Sequence, residues 1–405
     1  MTDLARPPIP FRRGACPGVA DAMERPDGWL LRVRLPGGAL SPTGARAIAG
    51  VADRFGSPEL TITSRANLQI RGLADADRPA AAQALIEAGL ARPDPELDAR
   101  RAVVTSPLAG HDPSALADVS GLIDEVLDAL TSAVWPAPLA PKFGVVVDDG
   151  GRCSVRAVPG DVCLGAVAID GFTRWQVSLG RSLDAGASDA MLLPAATTTA
   201  ELAALTAAVA GWSAVSGGRA SVLALAAAAP TLTRQPVQLP GRQPPEVGDR
   251  IGCFDHHDPA RCNLVAGAFL GRLPSSTLSA LAELSGQALP PLGLRLAPRG
   301  GVALVGVPRT NALDLSRELS RLGLSTDSTA AAHWMSACIG SPGCDSSRAD
   351  TYAAAEAWTV ALRDASSALA PVHFSGCEKL CGAPATGVVL VADEHGDFVS
   401  DWPMA

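Results

Sequence analysis

Hydrophobic and polar positions alternate along 28–35, Gly-Trp-Leu-Leu-Arg-Val-Arg-Leu. The alternation predicts a strand with Trp29, Leu31, Val33 and Leu35 on one face and Arg32 and Arg34 on the other. The period then changes to that of a helix. Ser41-Pro42 is a cap and first-turn signal, and Ile48, Val51, Ala52 and Phe55 fall at helical spacing up to Gly56. A second strand is predicted over 59–71. Thr61, Thr63, Arg65, Asn67, Gln69 and Arg71 point one way there, and Ile62, Ser64, Ala66, Leu68 and Ile70 the other. A helix from about 78 to 90, with Asp77 as its cap, closes the unit.

The same order returns in the second half. Arg34-Leu35-Pro36 matches Arg272-Leu273-Pro274, and Leu278, Leu281 and Leu284 lie on a helix running to Gly286. The segment 293–307 matches 59–73, which sets Arg65 opposite Arg299; Thr310 or Asn311 then caps a further helix. The likeness continues. A helix over 113–134, capped by Asp112 with Pro113 in its first turn, matches one over 347–369, and Lys142-Phe143 matches His373-Phe374. Hairpin-like segments at Val145 and Val388 follow these two stretches. Between the copies, strands near 162–169 and 173–180 and Ala-rich helices near 199–228 are expected, and the Pro-rich span 230–250 reads as a linker. A duplicated α+β chain tends to close about a pseudo-two-fold axis with a cleft between its halves. The expected divisions are 1–90, 91–229, the linker 230–250, 251–325 and 326–405.

Composition narrows the class. The 405 residues are 47% apolar and 4% aromatic, with a net charge of −8, which argues against nucleic-acid and anionic-membrane partners. The start lacks the apolar core of a signal peptide, and the most apolar run, near 219–229, is far shorter than the ~18–20 residues of a membrane span. Nine cysteines, an odd number, fit a reducing cytoplasm. Cys16, Cys153, Cys163, Cys253 and Cys262 form no ligand-like group and read as buried small residues.

The other four cysteines do form a pattern. Cys338 and Cys344 are separated by five residues, Cys377 and Cys381 by three, and both pairs sit among glycines. Four thiolates on two loops can hold a cubane 4Fe-4S cluster. Three alternatives stay open at this point. Structural zinc prefers two to four residues between paired cysteines; a disulfide needs an oxidising compartment; unrelated buried thiols need neither. His373, four residues before Cys377, and His333, five before Cys338, are candidate acid/base groups or iron ligands, with loop packing as the alternative for each. His111 reads as structure at a helix start, His256-His257 as an exposed turn, and Glu378 and Lys379 as local charge.

The C-x5-C and C-x3-C pairs resemble the cluster signature of the sirohaem nitrite and sulfite reductases. Within that family the chain is most similar to the short, single-chain precorrin-3B synthase branch. Arg12-Arg13-Gly14-Ala15-Cys16-Pro17-Gly18, Thr63-Ser64-Arg65-Ala66-Asn67-Leu68-Gln69 and His373-Phe374-Ser375-Gly376-Cys377 carry that likeness, which covers nearly the whole chain. The resemblance implies an α+β, internally duplicated nitrite/sulfite reductase-like fold with two ferredoxin-like half-domains and two larger cofactor-site domains. It implies that Cys338, Cys344, Cys377 and Cys381 hold the cluster and that, in the reductases, the last cysteine also bridges to sirohaem iron.

The resemblance also implies a tetrapyrrole pocket. By composition alone, the polar face of 61–71 is an ordinary solvated sheet face. In the family the matching strand lines the pocket, and guanidinium groups suit the carboxylates of the macrocycle. Arg65, Asn67, Gln69, Arg71, Arg101, Lys142 and Arg299 are therefore the expected substrate contacts, and His373 the catalytic candidate. Ala102 stands where the family commonly has Asn, and Gly144 where the sirohaem enzymes have the second lysine of a Lys-Phe-Lys element. The missing lysine disfavours tightly held sirohaem and fits a related tetrapyrrole acting as substrate. The implied activity is that of a monooxygenase of aerobic cobalamin biosynthesis. It hydroxylates precorrin-3A at C20 with γ-lactone formation, using O2, the cluster, in the family also a non-haem iron, and an external donor, NAD(P)H-linked or ferredoxin. An assimilatory sulfite or nitrite reductase is the alternative, and a non-catalytic tetrapyrrole or iron–sulfur carrier a third reading.

Overall fold

A computed structural model of the chain describes residues 16–135, 137–140, 142–185, 191–194, 196–216, 247–288, 291–363, 371–384 and 387–400. The linker stretch 230–246, the end of the Ala-rich region beyond Ser216, residues 364–370 of the expected last helix, and the Arg12–Ala15 part of the opening motif lie outside them.

Two antiparallel sheets form the centre. The first orders its strands Met23–Arg25, Gly28–Val33, Leu68–Leu73, Glu59–Ile62 and Arg272–Pro274. The second orders Gly252–Asp255, Arg261–Ala268, Gly301–Pro308, Gly293–Ala297 and Ala39–Leu40. Each half thus lends an edge strand to the other half's sheet. Arg272 pairs with Thr61, and Leu40 with Leu294. The helices Pro42–Phe55 and Ser275–Gln287 pack on one another between the sheets. One continuous core containing Ile48, Leu60, Ile70, Leu278, Leu281 and Leu304 runs through both halves. The exchange joins the halves through both central sheets.

The exchange also corrects the repeat. The turns Pro36–Gly38 and Phe269–Gly271 are equivalent, so Arg272-Leu273-Pro274 corresponds to Ala39-Leu40-Ser41 and not to Arg34-Leu35-Pro36. Ser41 caps its helix as expected, its Oγ accepting from the Gly44 N–H at 3.0 Å.

The predicted strand over 59–71 is a hairpin. Glu59–Ile62 and Leu68–Leu73 are antiparallel, joined by a turn in which the Thr63 N–H donates to the Asn67 carbonyl and Ala66 has φ +56°. Thr61 and Gln69 therefore lie side by side across the ladder rather than along one strand.

Two further sheets carry the duplicated outer domains. Val103–Thr105, Val145–Asp148 and Val162–Ile169 run parallel, followed by antiparallel Phe172–Leu179 and Met191–Leu192. Met335–Ala337, Val372–Ser375 and Val388–Ala392 run parallel, followed by antiparallel Phe398–Val399. Val145–Asp148 is thus the partner of Val372–Ser375, not of the strand at Val388. The helices Ser120–Ser132 and Thr351–Arg363 complete the match and start later than expected. Asp112 caps no helix, because the chain runs in turns from 113 to the helix start at Ser120; its carboxylate accepts from the Ser114 N–H and hydroxyl and from the Arg152 N–H, tying this turn to the loop at 152. Among the described residues no helix is long and apolar enough to cross a membrane.

Candidate functional site

The cysteine loops hang from the C-terminal sheet. Cys338 follows the strand Met335–Ala337, and its N–H donates to the Phe374 carbonyl at 3.0 Å. Cys377 follows the neighbouring strand Val372–Ser375. The first loop turns at Gly340, φ +65°, where a Cβ would lie 2.8 Å from the Thr351 backbone nitrogen. The Thr351 hydroxyl fastens the helix start to the same loop by donating to the Cys338 carbonyl at 2.6 Å. The Gly376 N–H donates to Cys338 Sγ at 3.2 Å, as a backbone amide would to a thiolate ligand.

All four thiols line one cavity of about 780 Å³ between the two halves. Cys338, Cys344 and Cys377 lie near enough to Cys381 to raise its pKa by charge repulsion, after burial, while Lys142 lowers it. Among the described residues, no three His, Cys, Asp or Glu side chains converge on one metal-ion position. Four thiols on one cavity match the four thiolate ligands that a cubane iron–sulfur cluster takes. The residues therefore fit an iron–sulfur cluster, with Cys377 buried and Cys381 exposed to the cavity.

The predicted macrocycle contacts divide. Gln69, Arg71, Lys142 and Arg299 line the cavity with the thiols. Arg71 is already engaged. Its guanidinium forms a two-pronged ion pair with Asp27, at 2.7 and 2.9 Å, and donates to the Gly343 carbonyl at 2.6 Å, one residue before Cys344. Arg65, carried round by the hairpin turn, donates to the Pro159 carbonyl at 2.8 Å, outside the cavity lining. Asn67 is buried, and its Oδ1 accepts from the Leu35 N–H. Arg101 donates to Asp98 and to the Leu90 carbonyl. These three side chains brace the fold. His373 is 1% exposed, is hydrogen-bonded through Nδ1 to Ser336 Oγ at 2.9 Å, and turns its other edge toward the Cys381 backbone. Burial lowers its pKa to about 4, so the ring is neutral near pH 7. It lies behind the cysteine loop, not in the cavity lining.

Sequence reasoning missed the cavity's other cations. Arg32 and Arg250 both line it, and among the described residues the buried Nε of each has no hydrogen-bond partner. His333 Nε2 and Trp334 Nε1, also lining it, are likewise unpartnered. Burial lowers the pKa of Arg32, Arg250 and Arg299 alike. The one advance signal was Arg32, on the polar face of its strand and directly across from Gln69. Among the other cysteines, Cys153, Cys163 and Cys262 are buried as expected, but Cys253 is exposed and half-buried Cys16 lines the cavity. His111, expected as local helix structure, instead meets His256, with Nδ1 3.2 Å from Nε2.

Comparison with known proteins places this architecture. A precorrin-3B synthase from Sinorhizobium sp is 32% identical over 381 residues, which is 92% of this chain and 79% of that protein. The chain belongs to the precorrin-3B synthase family. A model of the nitrite/sulfite reductase ferredoxin-like half domain matches residues 22–88 of this family member. The ferredoxin–nitrite reductase of Synechococcus elongatus is 31% identical over 160 residues, 38% of this chain and 31% of the reductase. The solved NirA protein of Mycobacterium tuberculosis shares the fold, with a TM-score of 0.70 at 20% identity, over 92% of this chain and 73% of that one. The duplicated α+β reductase-like fold expected from the sequence is thus the fold of this precorrin-3B synthase homologue.

Proposed function

We propose that the chain is the monooxygenase that converts precorrin-3A to precorrin-3B, with Cys338, Cys344, Cys377 and Cys381 holding a 4Fe-4S cluster. The observation that carries this reading is the placement of four thiols and the guanidinium groups of Arg32, Arg250 and Arg299 on one cavity. When bound, such a cluster supplies electrons singly from an external donor, NAD(P)H-linked or ferredoxin. The chain's own residues bind and orient. Arg32, Arg250 and Arg299 pair with carboxylates of the ring, Lys142 and Gln69 add a charge and a neutral hydrogen bond, and the C20 edge is turned toward the oxidant. Dioxygen, two electrons and two protons give a hydroxyl at C20 and one water, and a ring A acetate closes as the γ-lactone. A non-haem iron is the family's further metal.

A sirohaem reductase is the second reading, favoured by the partial likeness to ferredoxin–nitrite reductases. Against it stands Gly144, at the place of the reductases' second lysine. A Cβ there would lie 2.7 Å from Arg65 Nη1, so a lysine would have to displace the hairpin's guanidinium from its bond to the Pro159 carbonyl.

The test is incubation of the anaerobically prepared protein with precorrin-3A, reductant and labelled dioxygen, followed by mass analysis. One labelled oxygen in the product is the expected result. An unchanged tetrapyrrole in the presence of an intact cluster overturns the proposal, and a tightly held green chlorin with nitrite or sulfite turnover replaces it with the second reading.

A further inference from the structure

The chain has a single tyrosine. Tyr352 is the second residue of the helix Thr351–Arg363, and its ring packs on the core of the C-terminal sheet while lining the cavity. Two neighbours tie it to the loop between Cys338 and Cys344. Thr351, one residue before it, donates to the Cys338 carbonyl at 2.6 Å. Arg71, which donates to the Gly343 carbonyl at 2.6 Å, lies close enough to act on the phenol by its charge. The ring also meets Arg272, whose Cζ is 5.6 Å from the ring centroid and whose guanidinium is held by Glu59 at 2.7 Å and Glu356 at 2.8 Å. Thr61, the cross-strand partner of Arg272, brings its hydroxyl to the phenol and lines the same cavity.

These contacts keep a proton on the phenol. Burial, with a smaller push from Glu59, raises its pKa from the ordinary value, against the opposing pull of Thr61, Arg272 and Arg71. The group is therefore a neutral O–H donor at pH 7. A hydroxyl that favours the phenolate is one that donates to it, so the phenol's own proton is not spent on Thr61. Elsewhere on the wall, the arginines keep their protons, burial leaves His333 neutral near pH 7, and Lys142 and Lys379 are exposed. A cluster held by Cys338 and Cys344 brings electrons to the same corner of the cavity in which Tyr352 holds its proton.

We infer that Tyr352 is the catalytic proton donor to reduced dioxygen. The inference rests on the monooxygenase reading above and names the group that completes its proton balance. One oxygen atom enters the C20 hydroxyl and the other leaves as water, with two electrons from the external donor and two protons. Tyr352 Oη supplies one of the protons and solvent the other. The phenol O–H bond breaks, an O–H bond of the departing water forms, and solvent in the cavity returns a proton to the phenolate. The positive charges of Arg71 and Arg272 stabilise that phenolate while it lasts.

The test uses the full-length, cluster-loaded protein with precorrin-3A, reductant and dioxygen. Tyr352→Phe keeps the ring and its packing on Arg272 and removes only the hydroxyl. Conversion is expected to fall about a hundredfold or more, with reductant consumed to release peroxide instead of hydroxylated product. Binding of the stable porphyrin uroporphyrin III, followed by tryptophan fluorescence, is expected to stay within about twofold of wild type, and cluster absorbance to be unchanged. Because the chain has one tyrosine, growth on 3-fluorotyrosine replaces this phenol alone with a more acidic one. The rate depends on the protonated phenol, so its fall at alkaline pH moves to lower pH in the fluorinated protein. That readout carries the test by itself if Tyr352→Phe does not fold. A folded Tyr352→Phe that converts precorrin-3A as wild type does, or that loses its porphyrin affinity, overturns the assignment, as does an alkaline limb unmoved by fluorination; in each case the functional reading stands. Wild-type protein that keeps its cluster and converts no precorrin-3A takes both down.

Discussion

Arg71 reaches across 272 positions of sequence to donate to the Gly343 carbonyl at 2.6 Å. Its guanidinium is anchored at the same time by Asp27. A strand of the first half thereby fixes the loop between Cys338 and Cys344, and so the spacing of these two thiols, the proposed cluster ligands, depends on the other copy.

Removing that anchor has a measurable consequence. Arg71→Ala leaves the Gly343 carbonyl and the Asp27 carboxylate unpaired, and it is expected to lower stability by about 1–3 kcal/mol. The cluster's visible absorbance should bleach faster in air or chelator than in wild type. Asp27→Ala should give a smaller effect, because Asp27 is 26% exposed, and the double variant should be less than additive. Unchanged bleaching in Arg71→Ala would remove the clamp from the cluster's support.

How much of this was legible in the chain can be argued residue by residue. That the two cysteine pairs share one cavity was, because each pair sits on a short loop and both loops follow neighbouring strands of one sheet. The duplication was legible in outline, since matching periodicities recur, but its register was not. Arg34-Leu35-Pro36 and Arg272-Leu273-Pro274 look alike by composition, whereas strand exchange makes Ala39–Leu40 the true counterpart. The hairpin was hidden because Thr63-Ser64-Arg65-Ala66 contains neither Gly nor Pro, and its turn is made by Ala66 with positive φ. That one turn removed Arg65 from the cavity and brought Thr61 beside Gln69. Arg250 gave no signal, because it borders a proline-rich stretch without periodicity and acts only through its place in three dimensions.

The packing of Gly144 gives a second prediction. Gly144→Lys restores the reductases' lysine but brings a side chain onto the Arg65 guanidinium, displacing its bond to Pro159. The Arg65 side chain is flexible and half-buried and can move aside, so the cost is that of its lost bond to the Pro159 carbonyl, about 0.5–1.5 kcal/mol. A fall in melting temperature without gain of sirohaem binding or nitrite turnover is expected. A stable variant that acquires the chlorin would show that this single position separates the two activities.

Asp149 gives a prediction about pH. It is fully buried, one oxygen accepts from the Gly151 N–H, and the other has no partner. Burial, with help from Asp148 and Asp112, raises its pKa to about 7. The folded state therefore holds a proton that the unfolded state releases above its ordinary value near 4, and stability from this group is lost as pH rises from about 4 to 7. Asp149→Asn keeps the shape without the charge. It should match wild type near pH 4 and exceed it by a few kcal/mol at pH 8, the difference levelling off above pH 7. Chemical denaturation of the two proteins across that range checks the sign, and a wild-type advantage at pH 8 would show that the carboxylate is charged and neutralised in the fold.

Strand exchange between the halves rests on two glycines. Gly38 has φ +71°, and a Cβ there would strike the Leu296 carbonyl of the other half. Gly271, its counterpart, has φ +72°, and a Cβ there would lie 2.7 Å from the Ile62 carbonyl. Each glycine sits where the chain leaves its own sheet to pair with the opposite one. An alanine at either place adds left-handed strain of about 1–3 kcal/mol and a backbone clash on top of it. Gly50, in the interior of the helix Pro42–Phe55, has nothing within 4 Å of such a Cβ, so Gly50→Ala should stabilise by about 0.5–1 kcal/mol. Urea unfolding is therefore expected to order the three variants with Gly50→Ala above wild type and Gly38→Ala and Gly271→Ala well below it. Because one core spans both halves, both losses should appear as a shift of a single transition. Two separate transitions, one moved by each glycine, would mean that the halves fold independently and that the exchanged strands do not join them into one body.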